Sequence, residues 1–442
     1  MKKRIEIADW AMEEARKLGA QAARVELSCI DMLNVQCEDA EVSTLQQNSG
    51  CGLVMRLFVD GRFGSYSTNR LDKSEISTLL ANGIACTRLL SPDPDRTLPD
   101  PSRYYRSASL AQCKAESKAL GSYKANQPDA DPVQMALSVY APIAGKDPRL
   151  IHVTTQLGSR SGWQYIADTQ GFRGIGFCSN AYAYTSVSLQ DEGDSKPSDG
   201  WMYAGIDYDE LLPSLPQLGL QALLAAQLRI GATTVRPGHY HLAIEPVCLM
   251  KLLDPLLDAL SGYSLHAKRS FLADRLGEQI VSPLLNITDQ PQRTGAFGAC
   301  LYDLEGVRTS AQDIVRNGKL CTYFLSTYYA RKLKATPTLS GPNVLCIDPG
   351  TKSRQSLLAQ YDETVLVTGF LGGNCNEVTG DFSFGIEGQL YLKGTRTQGI
   401  AGMNITGNML QLWQNVFAIA NDTERTFDGY FPTLFFEGIE LQ

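Results

Sequence analysis

Long apolar runs, excess positive charge and closely spaced cysteines are all missing from this 442-residue sequence. No stretch is long and apolar enough to span a bilayer. The basic start Met1–Arg4 is followed by Ile5–Trp10, which lacks an uninterrupted apolar region, so we expect no secretory signal. The formal net charge of -7 argues against sequence-independent binding of nucleic acid, which needs a concentrated basic surface.

The cysteines number eleven, which is an odd count, and no Cys-x-x-Cys pair occurs among them. This spacing predicts neither a disulfide framework nor a zinc ribbon. Several cysteines alternate with apolar residues in strand-like segments, where a free thiol behaves as a small buried hydrophobe. We therefore expect a reduced, cytoplasmic protein.

Composition divides the chain into three folded segments and one linker. A chain of this length exceeds a single hydrophobic core, so two or three domains are expected. Prolines alternating with aspartates mark 91–101 as the linker. The predicted fold class is α+β: an N-terminal helix plus antiparallel meander domain in 1–90, a central α/β meander in 102–230, and a β-rich C-terminal domain in 231–442.

Local signals in the first segment predict strands, a hairpin and a helix. Alternating apolar and polar residues predict two short strands, Val25–Cys29 and Leu33–Cys37. Asp60-Gly61, between two apolar runs, is a strong hairpin signal. Asp72, followed by Glu75 three residues later, predicts a capped helix start.

The later segments are predicted to alternate between strands and helices. A polar loop at 191–200 and a long helix at Tyr208–Leu228 end the central segment. Beyond it, the strand Tyr240–Ile244 leads into the helix Val247–Leu260, and Asn317-Gly318 predicts a further hairpin. The central segment should also contain four successive strands, at 150–157, 162–167, 172–178 and 183–190.

The most informative stretch of the sequence is Asn376–Gly388, which places Thr, Asp and Ser between glycines and two aromatic residues. Glycine suits positive φ or close backbone approach, and Asp and Ser bond local N–H groups. A functional loop and a tight structural turn are both open readings. We predict peptide or partner contacts at five positions, with a structural cap favoured for the aspartate: Asn374, Thr379, Gly380, Asp381 and Ser383.

A second candidate loop precedes the apolar pair Phe271-Leu272. Lys268, Arg269 and Ser270 form a solvated turn on one reading and line a cleft toward a partner on the other. We therefore add Lys268 and Ser270 to the predicted contacts.

Short segments spread over nearly the whole chain resemble the TldD/PmbA family of bacterial proteins, which is implicated in proteolysis. Each segment is weak alone, and their order and spacing together carry the resemblance. The segments are Gly52–Phe58, Asp60–Gly64, Pro237–Tyr240, Glu245-Pro246, Ser270–Leu272, Thr288-Asp289, Pro342-Asn343 and Thr379–Ser383.

The resemblance places the chain in the PmbA- or TldE-like branch of that family. The TldD-like branch carries a His-Glu-x-x-x-His helix that binds zinc. Here the matching positions are Ile244, Glu245 and Leu249. Neither Ile nor Leu has a lone pair to offer Zn²⁺. The resemblance therefore implies no cofactor in this chain and zinc in a TldD-like partner subunit.

The function implied by the resemblance is that of a metal-free subunit of a TldD-type metallopeptidase complex. Such a complex acts on unfolded peptides or in peptide maturation, and an extended peptide can bind by adding a strand to a sheet edge. We expect no nucleic-acid or membrane partner, and a homodimer without the partner is left open. A non-catalytic regulator of DNA gyrase or of a toxin–antitoxin system is one alternative.

A stand-alone hydrolase is the other alternative, and it needs chemistry from Cys375 or from histidines. No Cys-His signature surrounds Cys375, so inert packing is favoured. His239 and His241 face one side of a predicted strand, where a surface or hydrogen-bonding role is favoured over metal binding.

Overall fold

The structure, a computed structural model, describes residues 1–124 and 131–442. Within these residues the chain forms three six-stranded sheets with helices packed against them. The predicted α+β class is therefore confirmed. No helix of the described part is both long enough and apolar enough to cross a membrane.

The first sheet unites strands from the first and the central segments. It contains β1 (Ala22–Glu38), β2 (Glu41–Val59), β3 (Arg62–Thr68), β4 (Leu150–Asp168), β5 (Arg173–Leu189) and β6 (Ser198–Gly205). Their order is β3-β2-β1-β4-β5-β6, and every pairing is antiparallel. Because β1 pairs with both β2 and β4, one sheet spans the predicted linker, while the predicted domain boundaries stay a prediction.

Several predicted strands are parts of longer ones. Both strands predicted in the first segment belong to β1, and the four predicted in the central segment merge into β4 and β5. β1 forms ladder hydrogen bonds with a strand on each side. These bonds keep it extended even where polar residues interrupt the alternation of apolar and polar side chains. The predicted loop at 191–200 ends in β6. The hairpin at Asp60-Gly61 is confirmed, with φ of 51° and 70°.

Cys29 and Cys51 form a disulfide between β1 and β2, so the expectation of reduced cysteines is wrong for this pair. The two residues lie directly opposite each other in the ladder, with Cα atoms 4.1 Å apart. Strand register creates this pair, which is why cysteine spacing does not reveal it. The other nine cysteines are free.

Six helices pack around the first sheet. They are α1 (Lys2–Lys17), α2 (Lys73–Thr87), α3 (Leu110–Ala119), α4 (Pro132–Ser138), α5 (Tyr208–Leu211) and α6 (Leu215–Arg229). Asp72 precedes α2 as predicted, but its side chain forms no capping hydrogen bond. The predicted helix Tyr208–Leu228 is divided by a 3-10 turn at Leu212–Ser214, where Pro213 lacks an N–H.

The remaining strands form two further sheets. One contains β8 (Ile287–Asp289), β9 (Gln312–Arg316), β10 (Lys319–Leu320), β11 (Leu345–Ile347), β16 (Glu424–Arg425) and β17 (Gly429–Phe431). The other contains β7 (Gly238–Ile244), β12 (Glu363–Cys375), β13 (Asp381–Leu392), β14 (Thr395–Asn408), β15 (Val416–Ile419) and β18 (Leu434–Leu441). The hairpin predicted at Asn317-Gly318 joins β9 to β10.

A pairing between β14 and β18 closes five strands of the third sheet into a barrel. Alternate residues of these strands, such as Leu242, Val365 and Phe436, form one buried cluster with α7 (Met250–Ala259). The other helices here are α8 (Gly262–His266), α9 (Thr327–Leu333), α10 (Arg354–Gln360) and α11 (Met409–Gln414).

Candidate functional site

The positions that match the zinc motif lie where β7 leaves the barrel. Ile244 is the last residue of β7, a 3-10 turn follows at Pro246–Cys248, and Leu249 precedes α7. Ile244 and Leu249 are fully buried in the barrel cluster. Both side chains therefore serve packing, and neither carries a donor atom that a zinc ion needs.

Glu245, between these two apolar residues, is held by an arginine. Arg354 Nη1 donates to Glu245 Oε1 at 2.8 Å, and Arg354 Nε lies 3.5 Å from Asp422 Oδ2. Burial raises the pKa of Glu245 to about 7, against the opposing pull of the Arg354 charge. The Glu245 carboxylate is thus engaged by the Arg354 guanidinium. In zinc peptidases with a His-Glu motif, this carboxylate is free to act as a general base.

Cys248 is the remaining soft donor near this turn. Burial, with smaller contributions from the charges of Glu245 and Asp199, raises the pKa of its thiol to about 12. The thiol is therefore protonated in the absence of a metal ion, and Cys248 with Glu245 alone falls short of the three or four protein ligands of a zinc site. Across residues 1–124 and 131–442, no cluster of three or more His, Cys, Asp or Glu side chains is placed to hold a metal ion. The residues at the motif therefore do not fit zinc.

Replacement of Glu245 by glutamine should change how stability depends on pH. The folded pKa lies above the unfolded value of 4.5, so the native state binds the proton more tightly. Wild-type stability then falls by about 3 kcal/mol as pH rises from about 4.5 to 7, and the variant lacks this fall. Urea unfolding at several pH values measures the difference, with Glu437→Gln as an exposed control. Parallel curves for Glu245→Gln and wild type would contradict the burial of this charge.

A cleft of about 180 Å³ opens beside the barrel, between α7 and the β12–β13 hairpin. Asp254 and Asp258 lie one turn apart on α7, and Asn374 lines the opposite wall. Arg269 and Phe271 also line the cleft. The structure therefore brings the predicted contact Asn374 together with the loop that precedes Phe271.

The cleft holds charges of both signs and a thiol. Burial and the nearby Glu377 raise the pKa of Asp258, while Lys251 places its ammonium 4.9 Å from the centre of the Phe384 ring. Burial also raises the pKa of the Cys375 thiol to about 11. A protonated thiol is a weak nucleophile.

The signature residues at the hairpin tip mainly bond one another. Thr379 Oγ1 donates to Asp381 Oδ2 at 2.7 Å, and Asn408 Nδ2 donates to Asp381 Oδ1 at 3.0 Å. The bonds from Asn408 and Thr379 lower the pKa of Asp381, and both donors are side-chain groups. Contact of Asp381 with a peptide or partner stays a prediction. Gly380 has a φ of +80°, and a Cβ there would lie 3.3 Å from the Phe271 ring. The tip is thus a fixed turn packed against Phe271.

The other predicted contacts lie outside the cleft lining. Ser270 Oγ donates to Ala259 O at 2.6 Å and accepts from Leu272 N at 3.1 Å, so it fixes the loop. Lys268 is exposed, with a φ of 57°. Ser383 is exposed on β13. Contact of these residues with a peptide or partner stays a prediction.

Sequence reasoning missed the polar face of α7, and it left Arg269 out of the predicted contacts although it placed this residue in a loop that could line a cleft. Lys251, Asp254 and Asp258 recur at helical spacing in an otherwise apolar helix that starts beside the motif. That spacing was the available signal, because such residues share one face. The structure also places the two histidines of β7. His241 packs edge-on against Tyr361, and His239 is exposed on the same side of the strand.

Comparisons with known proteins place this fold and motif among metallopeptidase-related proteins. The model of the PmbA/TldA metallopeptidase C-terminal domain matches residues 237–442, and that of domain 1 matches residues 30–86. Together these matches cover more than half of the chain. The chain therefore belongs to the PmbA/TldD metallopeptidase family.

Individual relatives agree with this assignment over nine-tenths or more of their lengths. The metalloprotease PmbA homologue of Haemophilus influenzae is 25% identical, over 94% of this chain and 90% of its own. A proposed modulator of DNA gyrase from Bacteroides thetaiotaomicron is 37% identical, with a TM-score of 0.94 over 100% of this chain and 99% of its own. TldE from Thermococcus kodakarensis shares the fold at 18% identity, with a TM-score of 0.83 over 98% and 99%.

Proposed function

We propose that this chain is the metal-free subunit of a two-chain peptidase whose zinc belongs to a TldD-like partner. The carrying observation is the motif itself, where Ile244 and Leu249 are buried apolar residues and Glu245 is paired with Arg354. Two of the three motif positions thus carry no atom that could bind zinc, and the third is engaged by an arginine, which supports the proposal. The partner, the peptide substrate and the inactivity of the isolated chain are parts of the proposal.

The role of this chain is then to bind and orient an unfolded peptide beside the partner's active site. The cleft between α7 and the β12–β13 hairpin supports this role, since carboxylates, an amide and an aromatic ring line it together. Asn374 and Glu377 stand at its rim on the hairpin, and Arg269 stands on the facing loop. Mixed polar and aromatic linings of this kind hold a ligand in one orientation.

A three-sample assay tests the proposal. Cleavage of an unfolded, fluorescently quenched casein is measured with this chain alone, with the zinc-motif paralogue of the same organism alone, and with both chains mixed. We expect cleavage from the mixture and none from this chain. Cleavage by this chain alone that disappears in Cys375→Ala would instead establish a stand-alone hydrolase.

Regulatory binding to DNA gyrase is a second candidate, favoured by the name of the Bacteroides thetaiotaomicron relative. Such a role needs no metal and no nucleophile, so the motif chemistry is compatible with it. Gyrase supercoiling with and without the isolated chain tests it directly. A change in supercoiling rate without any peptide cleavage would support regulation over proteolysis.

A further inference from the structure

The outer part of β2 is a long sheet edge with a neighbour on one side only. Within the described residues, β3 pairs with Leu53–Val59, and Glu41–Gly52 pairs with β1 alone. All residues of β2 from Glu41 to Gly50 are exposed. Such an edge offers unpaired N–H and C=O groups to any added strand.

This edge carries few of the features that normally prevent strand addition. Natural edges are blunted by lysine, proline, charge or short length. The segment Glu41–Gly50 contains no Lys, Arg or Pro, and Glu41 is its single charged residue. Val42 and Leu45 are exposed to 42% and 60%, although they oppose the buried residues Cys37 and Val35 in the ladder. The apolar side chains are therefore buried on β1 but exposed on the neighbouring β2.

The ladder shows which backbone groups point outward. Cys29 and Cys51 have the close Cα spacing of a pair that shares no ladder hydrogen bond, so the N–H and C=O of Cys51 point away from β1. The alternation gives Leu45, Gln47 and Ser49 the same outward direction. A strand that pairs with this edge must therefore bond these residues.

We propose that this edge binds the same edge of a second copy of the chain, antiparallel and centred on Gln46. A two-fold axis requires antiparallel strands, and this register places Leu45 opposite Gln47 and Thr44 opposite Asn48. Glu41 then lies opposite the uncharged Cys51, whereas parallel strands would oppose the two Glu41 carboxylates. The pairing joins two six-stranded sheets and brings the two Leu45 side chains to diagonal positions.

The register makes a covalent test available. Gln46 meets its own copy in a pair without ladder hydrogen bonds, the spacing at which cysteines can form a disulfide. The full chain carrying Gln46→Cys should therefore give a covalent dimer under mild oxidation. Leu89→Cys, at a residue 86% exposed and two positions after the end of α2, is the matched control and should give no more dimer than wild type.

A second variant measures the strength of the pairing. Gln47→Pro removes one outward N–H from each copy without touching the β1 ladder, so the dimer dissociation constant should rise about tenfold or more. Sedimentation velocity of the isolated chain measures this constant, and circular dichroism checks the fold. A wild-type chain that stays monomeric at high concentration would overturn the proposal. So would a monomer whose edge variants change only the binding of unfolded casein, because the edge would then be a peptide site. Neither result depends on the peptidase assay.

Discussion

Replacement of Asp168 by alanine is expected to lower the free energy of unfolding by about 3–5 kcal/mol. The Asp168 side chain is fully buried and lies 2.9 Å from Arg24 Nη2. It also accepts from Tyr104 Oη at 2.7 Å. Its removal leaves the buried Arg24 guanidinium without a counter-charge, and an unpaired buried charge is costly.

The position of the Arg24–Asp168 ion pair explains why its loss should destabilise more than one part of the fold. Arg24 lies on β1 and Asp168 on β4, and Arg24 Nη1 also donates to Leu304 O in the C-terminal part at 3.0 Å. Urea denaturation followed by far-ultraviolet circular dichroism measures the effect. The control is Asp362→Ala, which removes an ion pair whose carboxylate is 91% exposed and should shift nothing measurable. Equal midpoints for the two variants would contradict the assigned role of Asp168.

Replacement of Gly373 by alanine is expected to cost about 3–4 kcal/mol, against about 1–2 kcal/mol for Gly372→Ala. Both glycines have positive φ, of 82° and 63°. A Cβ on Gly373 would lie 2.2 Å from Ser383 O, while a Cβ on Gly372 would have nothing within 4 Å. The pair therefore separates backbone strain, which both variants share, from a clash that only one has.

The measurement is again the free energy of unfolding, with the two glycine variants compared in one buffer. The ladder between β12 and β13 is irregular between Leu371 and Asn374, and this irregularity brings Gly373 against the facing strand. Gly373→Ala should consequently also distort the cleft wall at Asn374. An equal loss of unfolding free energy in the two variants would mean that β12 does not approach β13 this closely at Gly373.

Local chemistry made parts of this fold predictable. Asp60-Gly61 supplies the two positive φ angles of a tight hairpin, so the turn could be recognised without the rest of the chain. The polar half of β2 could not, because residues exposed on both faces show no alternation of apolar and polar side chains. The Cys29–Cys51 disulfide and the closing pairing of β14 with β18 depend on register between distant strands.

The candidate site divides in the same way. The loss of zinc donors at Ile244 and Leu249 could be inferred from residue type alone, since apolar side chains cannot coordinate a metal. The pairing of Glu245 with Arg354 could not, because 109 residues separate the two and the barrel brings them together. The cleft residues on α7 and on the β12–β13 hairpin meet for the same reason.

The zinc content of the separated subunits tests the central claim most directly. The chain is purified alone and together with its zinc-motif paralogue, dialysed against zinc and then against buffer, and measured by mass spectrometry of the metal. We expect close to one zinc per pair of chains in the complex and no stoichiometric zinc on this chain alone. One zinc retained per isolated chain would contradict the assignment of the metal to the partner.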